Sequence, residues 1–174
     1  LVGPTGGYFG TAVALSGDGT RAIVGTLTSA QIFARSSTAW TLEATLTRTP
    51  LDALFAESVA ISDDGTRVVV GAFNGPGRGG HVYARSGTTW TLEASLMRAV
   101  PVMDDFGRTV AMSGDGDRVA VTEASERAQA NVTVFARTPT GWTEEATVMW
   151  LRPTDSEFFG ADVALSSDGS RLVV

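Results

Sequence analysis

Apolar residues in this chain fall in short runs broken by turns rich in glycine and aspartate, and no stretch of useful length carries a helical period. Runs such as Thr11 to Leu15 and Ser58 to Ile61 are small and apolar, as a strand requires. Each leads into a Ser-x-Asp-Gly-x-Arg segment. Asp-Gly between apolar runs signals a hairpin, because glycine tolerates positive φ. Beyond the turn come Ala22-Ile23-Val24, Val68-Val69-Val70 and Val119-Ala120-Val121, continuous runs that suit a strand covered on both faces. A third strand carries Phe33, Tyr83 or Phe135. The fourth alternates, with Trp90, Leu92, Ala94 and Leu96 on one face and Thr91, Glu93 and Ser95 on the other. This predicts a half-exposed outer strand whose Thr and Glu point to solvent and discourage pairing with other chains.

These elements repeat. Ser16 to Arg21 recurs as Ser62 to Arg67, Ser113 to Arg118 and Ser166 to Arg171, at spacings of 46, 51 and 53 residues. Upstream of each lies an aromatic: Phe9, Phe55, Phe106 and Phe159. Gly follows it as Gly10, Gly107 and Gly160, with Ala56 in the second unit. Downstream stand Arg35, Arg85 and Arg137, then Trp40, Trp90 and Trp142. Four-stranded units of this period are those of β-propeller blades. The reading is an all-β chain, a single β-propeller segment over 1–174. Its four-stranded antiparallel blades fall near 6–50, 51–100 and 101–152, with a partial one at 153–174. About three and a half blades cannot close a ring, so the segment is expected to belong to a larger, seven-bladed one whose other blades lie outside this chain.

Composition narrows the chemistry. The 174 residues carry a formal net charge of −6 with pI near 4.7, which argues against nucleic acid as a partner. All 13 cations are Arg, so lysine chemistry is excluded. Without cysteine there is no disulfide, thiolate nucleophile or thiolate metal site. His81 is the one histidine, so a multi-histidine metal site is excluded as well. No run approaches the length of a membrane span, and direct membrane insertion is not expected. No signal peptide is visible and the first residue is not Met, which reads as an internal segment of a longer protein.

The order Phe-Gly, Ser-x-Asp-Gly, Val-Gly-Ala resembles the FG-GAP repeat of integrin α-subunit propellers and many surface proteins. The second unit is closest, with Phe55, Ser62 to Arg67 and Val70-Gly71-Ala72. The first ends in Val24-Gly25-Thr26, and the third departs with Val121-Thr122-Glu123. Gly79, Gly80, Tyr83 and Trp90 also resemble kelch repeats, which are propellers too. The FG-GAP resemblance implies an extracellular or cell-surface protein. It also implies a calcium loop between the first two strands. Here the opening acid of that loop is replaced by Ala14, Ala60, Ala111 and Ala164, and the later Asp by Ala22, Val68, Val119 and Leu172. Calcium needs about six to eight oxygens; one retained Asp does not supply them. A tight hairpin is expected instead, and no cofactor.

Candidate ligand-facing residues lie in the loops between second and third strands and between blades, since loops on a rigid scaffold commonly carry function. They are Asn74, Arg78, His81, Asp104, Asp105, Glu123 and Arg127. The glycine-rich stretch 73–81 lacks the helix and lysine of a phosphate cradle. Asp104 and Asp105 are neighbours in one loop rather than carboxylates facing across a cleft. His81 has no recurring acid partner and reads as a surface or loop residue. The repeated tryptophans read as packing positions, and the repeated Arg35, Arg85 and Arg137 as residues that pack or pair locally. Asn131-Val132-Thr133 is an N-glycosylation acceptor triplet at a reachable strand start. Recurring architecture without recurring chemistry points to a noncatalytic binding, adhesion or scaffold propeller. Its partner would be a protein, a glycan or copies of itself. The rival readings are a polysaccharide-acting enzyme with its site at the propeller mouth and a calcium-dependent adhesion module.

Overall fold

The computed structural model describes residues 8–48, 54–98, 105–124, 130–149 and 159–174. Among these, every regular element is a strand. The first sheet contains β1 (Val13–Leu15), β2 (Arg21–Gly25), β3 (Ser29–Ser36) and β4 (Ala39–Thr47). The second contains β5 (Phe55–Ile61), β6 (Arg67–Ala72), β7 (Gly79–Ser86) and β8 (Thr89–Leu96). The third contains β9 (Asp105–Met112), β10 (Arg118–Ala124), β11 (Asn131–Thr138) and β12 (Gly141–Met149). A two-stranded sheet, β13 (Ala164–Leu165) with β14 (Leu172–Val173), follows. Strand order is sequential and antiparallel within each sheet. These are repeated sheets of the propeller-blade type.

Consecutive sheets stack face to face through three apolar clusters. Ile23, Ile32 and Leu46 of the first sheet meet Val59, Ile61, Val68, Val70 and Tyr83 of the second. Val69, Val82 and Leu96 of the second meet Val110, Met112, Val121 and Phe135 of the third. Ala111, Ala120, Val132 and Val134 of the third meet Val163, with Phe159, Leu165 and Leu172 packed alongside. The valine runs serve both sides: Val68 and Val70 face backward while Val69 faces forward, and all three are fully buried. Each such side chain contributes roughly 1.5–3 kcal/mol by leaving water. One sheet could not cover both of its faces, so stacking is a condition of folding.

The outer strand departs from simple alternation. Ile32 pairs with Ala44 but Phe33 with Leu42, so Glu43 is an extra residue in β4. The same bulge places Glu93 in β8 and Glu145 in β12. A bulge turns the residues on either side of it to opposite faces. Trp90 therefore packs backward on the first sheet, while Ala94 and Leu96 pack forward on the third. The expected single face of Trp90, Leu92, Ala94 and Leu96 does not form, and Leu92 remains about half exposed.

The Ser-x-Asp-Gly turn is a closed hydrogen-bond unit. Ser16 Oγ donates to Asp18 Oδ1 at 2.6 Å, Thr20 N donates to the same oxygen at 2.8 Å, and Arg21 N donates back to Ser16 Oγ at 3.0 Å. The second and fourth copies repeat this pattern. Gly19, Gly65, Gly116 and Gly169 take φ of +64 to +71°, which an L side chain resists. Successive turns are tied to one another along one end of the sheets: Asp18 N donates to Asp63 O (3.1 Å), Asp63 N to Gly114 O (2.8 Å) and Asp115 N to Ser167 O (3.1 Å).

Candidate functional site

Three regions concentrate polar groups. The first is the seam between outer strands, which the bulged glutamates build. Glu43 accepts from Arg85 Nε of the next sheet at 2.8 Å and from Trp90 Nε1 at 2.8 Å. It also pairs with Arg21 of its own sheet at 3.4 Å. Its side chain is 7% exposed. Burial pushes its carboxyl up, but the hydrogen bonds from Arg85, Trp90 and Arg21 outweigh this and hold it below the usual range. Glu93 repeats the arrangement, accepting from Arg67 Nε at 3.1 Å and from Arg137 Nε of the third sheet at 2.8 Å. Burial again pushes up while Arg137 and Arg67 bring it down. Glu145 pairs with Arg118 at 2.8 Å. The expectation that the glutamates face solvent is thus corrected for Glu43 and Glu93, because the bulge turns them into the interface, while Glu145 remains 41% exposed. Arg85 and Arg137 pair across sheets, not locally.

The second region is the end formed by loops between second and third strands. His81 is fully buried in β7, not a surface residue. Its Nε2 lies 2.9 Å from Gly77 O and its Nδ1 3.1 Å from Ser95 Oγ. A carbonyl only accepts, so Nε2 carries hydrogen toward it. His81 occupies a recurring buried polar position on the third strand, opposite Ser95 of the fourth. Gln31 stands opposite Thr45 and Thr133 opposite Thr147 at the same register. Arg48, following β4, donates to Gly77 O at 2.8 Å and so joins the first sheet to the loop of the second. Glu123 is buried and takes hydrogen bonds from Arg98 of the second sheet and from Asn131 Nδ2 at 2.9 Å. The side-chain nitrogen that a glycan would modify is therefore turned inward, and Asn131 is 6% exposed. The acceptor triplet is not reachable in the folded chain, a correction to its reading as an accessible boundary.

Of the remaining candidates, Asn74 is exposed and Arg78 half-buried in the loop before β7. Asp105 opens β9 and pairs with Arg108 at 3.3 Å. The Arg108 guanidinium in turn sits 5.6 Å from the Phe73 ring centroid. Asp104 and Arg127 lie outside the described residues. His81 and Glu123 share the loop end of successive sheets, but both are consumed by internal bonds. The structure does not gather these candidates into one cleft.

The third region is a concavity of about 750 Å³ at the opposite, hairpin-turn end, lined by Asp63, Asp64, Asp115, Ser167, Asp168 and Arg171. Its carboxylates are engaged in the turns. Asp63 Oδ2 accepts from Ser167 Oγ at 2.6 Å, and hydrogen bonds from Ser166 and Ser170 hold the Asp168 carboxyl down at about 2. Among the described residues no group of three or more His, Cys, Asp or Glu is placed to hold a metal ion. Nor is any helix among them long and apolar enough to cross a membrane.

No protein-family model matches the chain, and no curated protein matches it. Solved structures do. The chain is similar to Saccharomyces cerevisiae Sqt1, with a TM-score of 0.62 and 13% identity over 83% of this chain and 36% of that one. It is similar to the Cps50 (Swd1) β-propeller domain of Myceliophteria thermophila, with 0.61 and 13% over 90% and 46%. Kuenenia stuttgartiensis hydrazine synthase matches with 0.62 and 15% over 99% and 43%. At this identity the likeness is one of fold: repeated four-stranded antiparallel sheets of the propeller type. The chain spans less than half the length of each of these proteins.

Proposed function

We propose that this chain is part of a noncatalytic β-propeller of the FG-GAP kind, acting at the cell surface or outside the cell as a binding, adhesion or scaffold element. Its partner is a protein or a glycan, met by the exposed loops around Asn74, Arg78 and Asp105 at one end of the sheets. The observation that carries this reading is where the recurring polar residues go. Glu43, Glu93, Arg85, Arg137, Trp90 and the backbone of the Ser-x-Asp-Gly turns are spent on holding sheets together. His81 and Glu123, the groups best suited to acid–base work, are buried and internally bonded. A scaffold built this way leaves its variable loops for recognition. The surface location draws on the FG-GAP resemblance of the Phe55, Ser62 to Arg67 and Val70-Gly71-Ala72 unit.

The test is to screen the protein against glycan and protein arrays and against a panel of polysaccharide substrates. Selective binding that weakens when Asn74 and Asp105 are changed to Ala, with no turnover, supports the proposal. Turnover abolished by Asp105→Ala or by His81→Gln in a folded protein assigns an enzyme instead.

A further inference from the structure

Five positions in the chain place aspartate or asparagine directly before glycine: Asp18, Asp64, Asn74, Asp115 and Asp168. This pairing carries its own chemistry. The glycine nitrogen can close a succinimide ring on the preceding side-chain carbonyl, and glycine has no Cβ to obstruct the approach. Two conditions decide whether the ring closes. The glycine nitrogen must be free of other bonds, and the side chain must be free to turn toward it. An amide also reacts where a carboxylate resists, because an ionised oxygen is a poor leaving group.

The four aspartates fail both conditions. In each turn the glycine nitrogen donates to the serine carbonyl, Gly19 to Ser16, Gly65 to Ser62, Gly116 to Ser113 and Gly169 to Ser166, at 2.9 to 3.0 Å. Each aspartate accepts from the hydroxyl of that serine and from the backbone nitrogen two residues on. The other asparagine, Asn131, is buried in β11, bonded through Nδ2 to Glu123 and followed by the branched Val132. Asn74 differs on every count. It is exposed, on an arc between Ala72, which ends β6, and Gly77, whose carbonyl is held by Arg48 and His81. Gly75 has φ +97°, in the region that glycine favours. Among the described residues neither the Asn74 side chain nor the Gly75 nitrogen makes a hydrogen bond.

We propose that Asn74 is a modification site, converted by water through the Gly75 nitrogen to aspartate and isoaspartate, so that the loop gains a negative charge with time. The Gly75 nitrogen gives its proton to hydroxide and attacks Asn74 Cγ. The N–Cγ bond forms, the Cγ–Nδ2 bond breaks, and Nδ2 takes a proton from water and leaves as ammonia. A second water then opens the succinimide, with no change of oxidation state. Breaking the N–Cγ bond restores the ordinary backbone and leaves an aspartate side chain. Breaking the bond from the same nitrogen to the backbone carbonyl carbon leaves isoaspartate, with the chain running through Cβ. Either product adds one negative charge to the formal −6 of the chain. The charge arises beside Phe73, whose ring lies 5.6 Å from the Arg108 guanidinium. The reaction needs no ligand; its bearing on binding rests on the recognition reading of this loop.

The test ages the 174-residue chain in warm, mildly alkaline buffer, folded and, in parallel, unfolded in guanidinium. Cleavage after arginine places Asn74 in the peptide 68–78 and Asn131 in 128–137. Mass spectrometry follows the conversion of amide to acid, and synthetic standards separate isoaspartate from aspartate. In the folded chain Asn74 should convert at no less than about a tenth of its unfolded rate, while the four Asp-Gly turns isomerise at less than about a tenth of theirs, because they wait on local opening. Asn131 should stay an amide in the folded chain. Slower conversion at Asn74, Asp-Gly turns that react alongside it, or aspartate without isoaspartate each overturns the proposal. A protein that binds nothing on the arrays would sink the recognition reading and leave these rates unmoved.

Discussion

Trp90 and Trp142 occupy the same repeat position but differ in one hydrogen bond, which makes them a controlled pair. Trp90 Nε1 donates to Glu43, whereas Trp142 Nε1 is buried with no acceptor among the described residues. A hydrogen bond to a charged group contributes about 1.5–3 kcal/mol, and a buried donor without a partner is itself a cost. Trp90→Phe should therefore lower the unfolding free energy by about 2 kcal/mol more than Trp142→Phe, read from urea denaturation. Equal losses would show that the Trp90 bond contributes nothing net. The glutamates grade in the same way. Glu43→Ala leaves Arg21 and Arg85 without their shared carboxylate in a site 7% exposed, and should cost about 3 kcal/mol. Glu145, 41% exposed, pairs with Arg118 alone, and its replacement by Ala should cost less than about 1 kcal/mol. The repeating Arg, Glu and Trp were visible in the sequence. Their joining into one seam was not, because alternation assigned Glu to solvent and no pattern of residue types announces a bulge.

At the scale of the strand, the aromatic-Gly corner tests how close the sheets approach. Gly107 has φ +96°, and a Cβ there would lie 2.5 Å from Ala72 O of the second sheet. The second unit places Ala56 at the same point with φ +74° and tolerates it. Gly107→Ala should destabilise by more than about 2 kcal/mol, since backbone cannot yield as a flexible side chain can. Ala56→Gly relieves left-handed strain while losing one buried methyl and gaining unfolded-chain entropy, so it should fall within about 1 kcal/mol of neutral. Thermal melts of the two variants decide this, and a severe loss from Ala56→Gly would mean that the methyl matters more than the strain. Strand number, order and turns were legible because Asp-Gly and the valine runs are local signals. The inward turn of His81 and Asn131 was not, because their burial is set by a register shared with strands and sheets distant in sequence.

Across the molecule, cohesion depends on carboxylates whose proton affinity falls on folding. The arginine and tryptophan bonds hold Glu43 and Glu93 down against the opposing effect of burial. Asp18 is held down chiefly by Ser16, and Asp64 by Ser62 and Thr66 against burial. A carboxyl with a depressed folded value binds fewer protons when folded, so its contribution is complete above the unfolded value and fades as pH falls through the folded one. For Glu43 that upper bound is the ordinary value of 4.5. The stability gap between the parent and Glu43→Gln should then be constant from pH 7 to about 5 and shrink steadily below 4.5. Urea titrations at half-unit steps from pH 7 to about 3 follow that gap. Because both sheets share the Glu43 seam, its protonation should loosen the first sheet from the second before either sheet unravels internally. Acrylamide quenching of Trp90, which packs on the first sheet, measured with the other tryptophans replaced by Phe, would then rise at a higher pH than the loss of strand circular dichroism. A gap that stays constant down to pH 3 would mean that Glu43 is not held below its ordinary value. The two sheets would then be joined by apolar packing and by the bonds from Asp18 N to Asp63 O and from Arg48 to Gly77 O, with no pH-dependent contribution from Glu43.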